Sequence, residues 1–123
     1  EAAKRMPPVV TGRKIGIEIG AGTDAHRVSS YNPFTALQWM LDGKTAAGTA
    51  VRGPEETPSR LEALRMYTYG SAWVSFDEKQ RGSLEVGKLA DIILLDGDPR
   101  EGYWNMLKTK VVLKGGKVVV DKR

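Results

Sequence analysis

The stretch IGIEIGAGTD, residues 15–24, is the most informative part of the sequence. It is short, apolar and rich in isoleucine, and it ends in glycines followed by Thr23 and Asp24. This pattern is typical of a buried parallel strand that opens into a functional loop. We therefore predict a strand over residues 16–23, with Asp24 at its C-terminal end and the Asp24 side chain in a polar cleft.

Asp24 is the first candidate for chemistry, because catalytic side chains lie at the C-terminal ends of strands in α/β barrels. A carboxylate there can bind a divalent metal ion or accept a proton from a metal-bound water. The competing interpretation is an aspartate that only caps the following loop, and spacing alone favours that cap. A phosphate-binding loop at Gly20-Ala21-Gly22 is disfavoured, because a third glycine is missing and Asp24 would repel a phosphate.

His26 is the only histidine of the chain. Histidine is a common metal ligand and acid–base group, but a zinc site needs three or four protein ligands. One histidine therefore cannot build a metal site by itself. Packing within a surface loop is the plainer interpretation of His26, and contact with substrate is the functional alternative. We keep His26 as a candidate substrate-binding residue.

Length and composition narrow the classes of protein. The chain has 123 residues, whereas a complete (β/α)8 barrel needs about 250. The net charge of +4 comes from scattered side chains, so we expect no nucleic-acid partner. No apolar run approaches the roughly 20 residues of a membrane span, and we expect no membrane partner and a cytoplasmic location. The absence of cysteine excludes disulfides and thiolate zinc sites. Because the first residue is Glu1, we expect the chain to be a piece of a longer polypeptide.

Three helices are predicted after this first segment. Asn32 is a good N-cap followed by a proline, and Gly43 can close the same helix. Thr57 is our predicted cap for the second helix, with Ser59 as a rival, because a glutamate three residues after Ser59 gives capping-box spacing. A third, short helix is predicted over residues 71–76.

The last part of the chain is predicted to be β structure. Residues 89–95 form an apolar run suited to a strand buried on both faces, and Asp91 within it must be paired or lie at an edge. The glycine pair at positions 115–116 separates two β-branched runs. This is a strong signal for a hairpin formed by residues 110–114 and 117–121, and we expect it in one sheet with residues 90–95.

Two motifs in this order resemble the C-terminal third of the amidohydrolase superfamily. They are Gly22-Thr23-Asp24-Ala25 and the stretch GSLEVGKLADI at positions 82–92. The first motif, together with SYNPF at 30–34 and with EALR, Thr68 and GSA within 62–72, is similar to the amidohydrolase family 3 branch, which includes N-substituted formamide deformylases. The resemblance covers about residues 13–121.

The resemblance implies an α/β fold that is the C-terminal fragment of a metal-dependent (β/α)8 TIM barrel. Residues 1–80 would hold barrel strand eight and its helices, and residues 81–123 would be closing strands of a small composite β-sandwich domain. Asp24 would be the strand-eight aspartate that touches a divalent metal, with zinc the expected ion, and shuttles a proton. The other ligands would lie on earlier strands outside this sequence. Residues 7–14 look less regular than the helix that the family has there.

The resemblance also implies a function. The parent protein would hydrolyse a non-peptide C–N bond of a small amide-type substrate, with Asp24 passing a proton from metal-bound water to the leaving nitrogen. The isolated chain would be inactive and would hold no metal tightly, and it would pair with the missing N-terminal part or with itself. The alternatives are a non-catalytic truncated fragment and a metal-free barrel that serves as a binding scaffold.

Overall fold

A computed structural model describes residues 2–25, 30–45, 47–99 and 101–123. Within these ranges helices come first along the chain and a sheet comes last. The helices are α1 (Val9–Lys14), α2 (Pro33–Asp42), α3 (Arg60–Arg65) and α4 (Ser71–Val74), with a π-helical turn (Met66–Gly70) between the last two. The strands are β1 (Ile92–Leu95), β2 (Thr109–Lys114) and β3 (Lys117–Asp121), and short 3-10 turns occupy Ala2–Arg5, Pro54–Glu56 and Tyr103–Leu107.

Helix α1 begins without a cap of its own and is capped from a distance. Pro8 precedes it and offers no side-chain hydrogen bond. The carboxylate of Glu56 accepts hydrogen bonds from the backbone N–H groups of Val10 (2.9 Å) and Thr11 (3.0 Å) and from the Thr11 hydroxyl. The side chain of Glu56 is only 1% exposed. Residues 7–14 are therefore more regular than predicted, because a distant carboxylate satisfies the first turn of the helix.

Helix α2 follows the prediction at both ends. The Asn32 side chain accepts a hydrogen bond from the N–H of Phe34 at 3.0 Å, and Pro33 occupies the first helical position. Gly43 ends the helix in the left-handed region, at φ 60°, and its N–H donates to the Trp39 carbonyl at 2.9 Å. This helix has ten residues, and no helix among the described residues has the length and hydrophobicity that a membrane crossing requires.

Helix α3 begins at a different cap from the one predicted. The Ser59 hydroxyl accepts from the N–H of Glu62 at 3.3 Å, and the Glu62 carboxylate accepts from the N–H of Ser59 at 2.9 Å. This is a complete capping box. Thr57 was the wrong choice, because its hydroxyl donates to the Gly53 carbonyl at 3.0 Å and closes the preceding 3-10 turn.

The third helix does not start anew at residue 71 as predicted. Helix α3 continues through the π-helical turn into α4, so residues 60–74 form one helical rod with a local widening. The rod ends before the predicted limit, since Phe76 has a φ of 60°. A β-carbon makes that conformation costly within a helix.

The hydrophobic core lies between α2 and the helical rod. Its buried members are Leu37 and Met40 from α2 and Ala63 and Met66 from the rod, the last two being 0% exposed. Several partly buried side chains pack against this core, among them Ile19 and Ala21 of the segment that precedes Asp24. The core therefore anchors that segment on the helices.

The three strands form one antiparallel sheet in the order β1-β2-β3. The predicted hairpin is confirmed, since Val112 lies opposite Val120, and both turn glycines have the positive φ that a two-residue hairpin favours, 55° and 76°. Strand β1 joins β2 as expected, with Ile93 opposite Val112. Within the described chain β1 is not covered on both faces, because Ile93 and Leu94 are exposed.

Asp91 has the structural role that the sequence suggested. Its carboxylate accepts a hydrogen bond from the N–H of Gly115 at 2.7 Å. The carbonyl of Ala90 accepts another from the N–H of Gly116 at 3.1 Å. These two bonds join the hairpin turn to the residues just before β1, and they thereby help to fix the register of β1 against the hairpin.

Candidate functional site

The segment that leads to Asp24 is not a strand. Within the described ranges, residues 16–24 carry no assigned strand and pair with no other strand, so the prediction for residues 16–23 is wrong for this chain. A strand needs a neighbouring backbone for its hydrogen bonds. Here the N–H of Ala21 finds a helix instead, and donates to the carbonyl of Met66 at 3.1 Å.

The side chain of Ser71 also bonds the backbone of Ala21. Its hydroxyl oxygen lies 2.7 Å from the carbonyl oxygen of Ala21, to which it can donate. It also lies 3.3 Å from the backbone nitrogen of Ala21, from which it can accept. Both polar groups of the Ala21 backbone are thus satisfied by the helical rod, at the junction of the π-helical turn and α4.

Two glycines allow this close approach. A β-carbon on Gly70 would lie 2.1 Å from the carbonyl oxygen of Ile19, which is far inside any permitted contact. A β-carbon on Gly20 would lie 3.0 Å from a methyl group of Val74 and 3.1 Å from the Gly70 carbonyl oxygen. The segment and the rod can therefore touch backbone to backbone only because both sides lack side chains at the crossing.

An ion pair and aromatic contacts fix the earlier part of the segment. Glu18 and Arg65 form an ion pair at 3.2 Å. The Arg65 guanidinium also lies 4.4 Å from the centre of the Tyr69 ring, and the Lys88 ammonium approaches the same ring at 5.8 Å. These contacts join the segment, the rod and the loop before β1, and Glu18 enters them six residues before Asp24.

Asp24 itself is exposed, with a φ of 53° in the left-handed region. Aspartate tolerates this region better than most residues, because its short polar side chain can bond locally. Two hollows, of about 820 and 800 Å³, lie between α2 and α3 and between the rod and β1, and Asp24 lines neither. The described residues therefore do not enclose Asp24 in the predicted polar cleft.

Asp24 is the only predicted site residue that lies within the described ranges. His26 lies outside the described residues, so its proposed contact with substrate stays a prediction. Across the described ranges, no group of three or more His, Cys, Asp or Glu side chains could hold a metal ion. A metal centre therefore does not fit the described residues by themselves, and Asp24 could supply one ligand at most.

Sequence reasoning missed Ser71 and Met66 as parts of the site. The sequence does carry a signal there, since Gly70-Ser71-Ala72 is part of the resemblance to the family. Its use could not be inferred, because a hydroxyl that bonds a backbone 50 residues away leaves no periodic pattern in the sequence.

The sequence model of the amidohydrolase family matches residues 1–120. The chain belongs to the amidohydrolase family. This confirms the resemblance found in the sequence. The likeness to solved members, together with a structure of helices and a sheet, supports an α/β amidohydrolase fragment. The predicted division at residues 80 and 81 stays a prediction.

Individual family members cover most of this chain. N-substituted formamide deformylase of Arthrobacter pascens is 32% identical over 110 residues, which are 89% of this chain and 20% of that protein. Imidazolonepropionase of Pseudomonas fluorescens is 34% identical over 120 residues, which are 94% of this chain and 27% of that protein. A crystal structure of a Xaa-Pro dipeptidase with methionine bound in the active site has a TM-score of 0.65 at 25% identity, with coverage of 90% of this chain and 24% of that chain. The chain thus spans between 20% and 27% of the length of these proteins.

Proposed function

We propose that this chain is the C-terminal part of a hydrolase that cleaves C–N bonds other than peptide bonds in small amide-type molecules. The observation that carries the proposal is the family match over residues 1–120. Among the relatives, the formamide deformylase favours a simple amide substrate. The likeness to a Xaa-Pro dipeptidase suggests an alternative substrate, a dipeptide that ends in proline, and an assay must exclude it.

Asp24 is the residue of this chain that we propose to take part in the reaction. It follows a segment that the helical rod holds at Ala21, and it is exposed among the described residues. At neutral pH a carboxylate can accept a proton from the hydrolytic water and pass it to the leaving nitrogen. Both steps use the same oxygen atoms and require no further group from this chain.

A divalent metal ion, with zinc the first candidate, is part of the same proposal. When bound, such an ion lowers the pKa of water and makes it a nucleophile at neutral pH. Since the described residues offer no set of three ligands, the remaining ligands would come from the N-terminal part of the protein. Asp24 would contribute one carboxylate oxygen.

A second candidate is association without catalysis by this chain. Trp73, Val74 and Phe76 are 46%, 56% and 90% exposed, and they lie close together in sequence at the end of the helical rod. Contiguous exposed apolar side chains mark a surface that another chain segment can cover. The covering segment would be the N-terminal part of the protein or a second copy of the chain.

The test is turnover by the full-length protein on a panel of N-alkyl formamides, other simple amides and an Xaa-Pro dipeptide. We expect hydrolysis of a formamide or another simple amide. Asp24→Ala should lower kcat by about 10²- to 10⁴-fold, the usual contribution of proton transfer. The matched control is Asp96→Ala, which removes an exposed aspartate paired with Lys110 on the sheet and should leave kcat within twofold.

Two results would contradict the proposal. One is turnover of the dipeptide alone, which would replace the substrate class. The other is an Asp24→Ala protein with the same metal content as the wild type and kcat within a fewfold of it, which would show that Asp24 takes no part in the chemistry.

A further inference from the structure

The hydroxyl group of Ser71 lies where it can control the position of Asp24. We propose that Ser71 is a positioning residue, which fixes the backbone of Ala21 and thereby sets where the Asp24 carboxylate lies during the reaction. This inference rests on the proposed role of Asp24. If so, the helical rod takes part in the activity, which the sequence of residues 60–74 does not indicate.

The contacts of Ser71 are those of a bridge between the rod and the segment. Its oxygen lies 2.7 Å from the Ala21 carbonyl oxygen, 3.3 Å from the Ala21 nitrogen and 3.0 Å from the Met66 carbonyl oxygen. The Met66 carbonyl also accepts from the N–H of Ala21 at 3.1 Å. One hydroxyl and one carbonyl therefore take the place of a neighbouring strand for Ala21.

The π-helical turn is what brings these two groups together. A turn of this kind widens the helix by one residue, and such turns are frequent at functional sites. In this turn the N–H of Ser71 donates to the Met66 carbonyl five residues earlier. The Met66 carbonyl and the Ser71 hydroxyl consequently face the same residue of the crossing segment.

Ala21 is the last anchored residue before Asp24. Among the hydrogen bonds between described residues, none joins residues 22 and 23 to the helical rod. A β-carbon built on Gly22 would have no atom within 4 Å. Three Cα–Cα steps separate Ala21 from Asp24, and they can span at most about 10 Å. The position of Ala21 therefore limits where the Asp24 carboxylate can lie, and a shift of Ala21 moves that region.

Loss of the hydroxyl should thus impair chemistry more than binding. A misplacement of about 1 Å in a reacting group can cost about 10²-fold in rate. We expect Ser71→Ala to lower kcat about ten- to a hundredfold in the full-length protein, with KM within about threefold of the wild-type value. A role limited to stability would lower the melting temperature and leave the kcat of the folded protein unchanged.

The matched control is Ser75→Ala, directly after the end of the same rod. The Ser75 hydroxyl donates to the Ser71 carbonyl at 3.1 Å, within the rod, and is exposed. Its removal deletes one serine hydroxyl that, among the described residues, makes no hydrogen bond to the segment before Asp24. We expect kcat within twofold of wild type for this variant.

The deciding experiment is a double-mutant cycle of Ser71→Ala and Asp24→Ala on the amide that the full-length protein hydrolyses fastest. If Ser71 acts through Asp24, Ser71→Ala should lower the residual kcat of Asp24→Ala by less than twofold. The same fold loss in both backgrounds would overturn the inference and leave the proposed function standing. An Asp24→Ala protein with wild-type turnover would overturn both.

The solvent deuterium isotope effect on kcat gives a second readout, which does not need the residual activity of Asp24→Ala. A displaced carboxylate makes proton transfer more rate-limiting, so the isotope effect should increase in Ser71→Ala and stay unchanged in Ser75→Ala. An unchanged isotope effect in Ser71→Ala, together with wild-type kcat, would refute a positioning role.

Discussion

Replacement of Gly70 by alanine is the sharpest test of the contact between the segment and the rod. The added β-carbon would lie 2.1 Å from the Ile19 carbonyl oxygen, whereas the closest ordinary carbon–oxygen contacts are about 3.3 Å. The two backbones must therefore separate by about 1.2 Å. Gly70 has helical dihedral angles, φ −60° and ψ −43°, so the cost comes from crowding and not from backbone conformation.

Two opposing energies decide the effect of Gly70→Ala on stability. Alanine in place of glycine within a helix gains about 1 kcal/mol. Overpacking of a tight contact costs about 1–3 kcal/mol, occasionally more. Since the obstructing atom here is a backbone carbonyl oxygen, which cannot rotate away as a side chain can, we expect the steric cost to exceed the gain, with a net destabilisation of up to about 2 kcal/mol by the same two estimates.

The assay is urea unfolding together with steady-state kinetics of the full-length protein. A shift of about 1 Å in the segment should lower kcat about 10²-fold. Gly102→Ala is the control, because its β-carbon would meet no atom within 4 Å and its φ of −173° is extended backbone. A Gly70→Ala protein that is as stable as the wild type, with normal kcat, would show that the backbones of Ile19 and Gly70 are not in close contact.

Three further predictions concern the caps, the pH dependence and the isolated chain. Ser59→Ala should lower the free energy of unfolding by about 1 kcal/mol, because it removes the cap of α3; calorimetry checks this, and an unchanged melting temperature would contradict it. The Thr11 hydroxyl and backbone bonds hold the pKa of Glu56 below its ordinary value of 4.5, so the stabilisation from Glu56 is complete above pH 4.5 and is lost as the pH falls through the lowered value. Melting temperatures measured from pH 6 to 3 should therefore fall less steeply in Glu56→Gln than in the wild type or in the control Glu55→Gln, and identical slopes would refute the assignment. Titration of the isolated chain with zinc should show no submicromolar binding and no amidase turnover, because the described residues hold no ligand cluster; tight binding would overturn the assignment of the other ligands to the missing part.

Local features of the fold could be predicted wherever the deciding interaction is short in sequence. The cap at Asn32 and the end of α2 at Gly43 depend on neighbours within one helical turn. The hairpin depends on two glycines between β-branched runs. Each of these structures satisfies its own backbone, so the sequence pattern carries the whole reason for it.

Two predictions failed because the local pattern does not reveal a second hydrogen-bond partner. Helix α3 begins after Ser59 and not after Thr57, since the Thr57 hydroxyl donates to the Gly53 carbonyl four residues earlier. Helix α1 exists because Glu56 satisfies its first turn from 45 positions away in sequence. In both cases the rule for helix capping was correct, but a further hydrogen bond determined which residue served as the cap.

The family of this chain, its helical and β parts, and Asp24 as the residue to test could all be inferred from the sequence. The contact of the segment before Asp24 with a helical rod, in place of a neighbouring strand, became visible only in the folded chain. An apolar stretch can be buried against any apolar surface, so its sequence does not name the surface. Each backbone N–H and carbonyl, in contrast, needs a hydrogen-bonding group within about 3 Å. Met66 and Ser71 supply those partners for Ala21, and nothing in residues 15–24 specifies them.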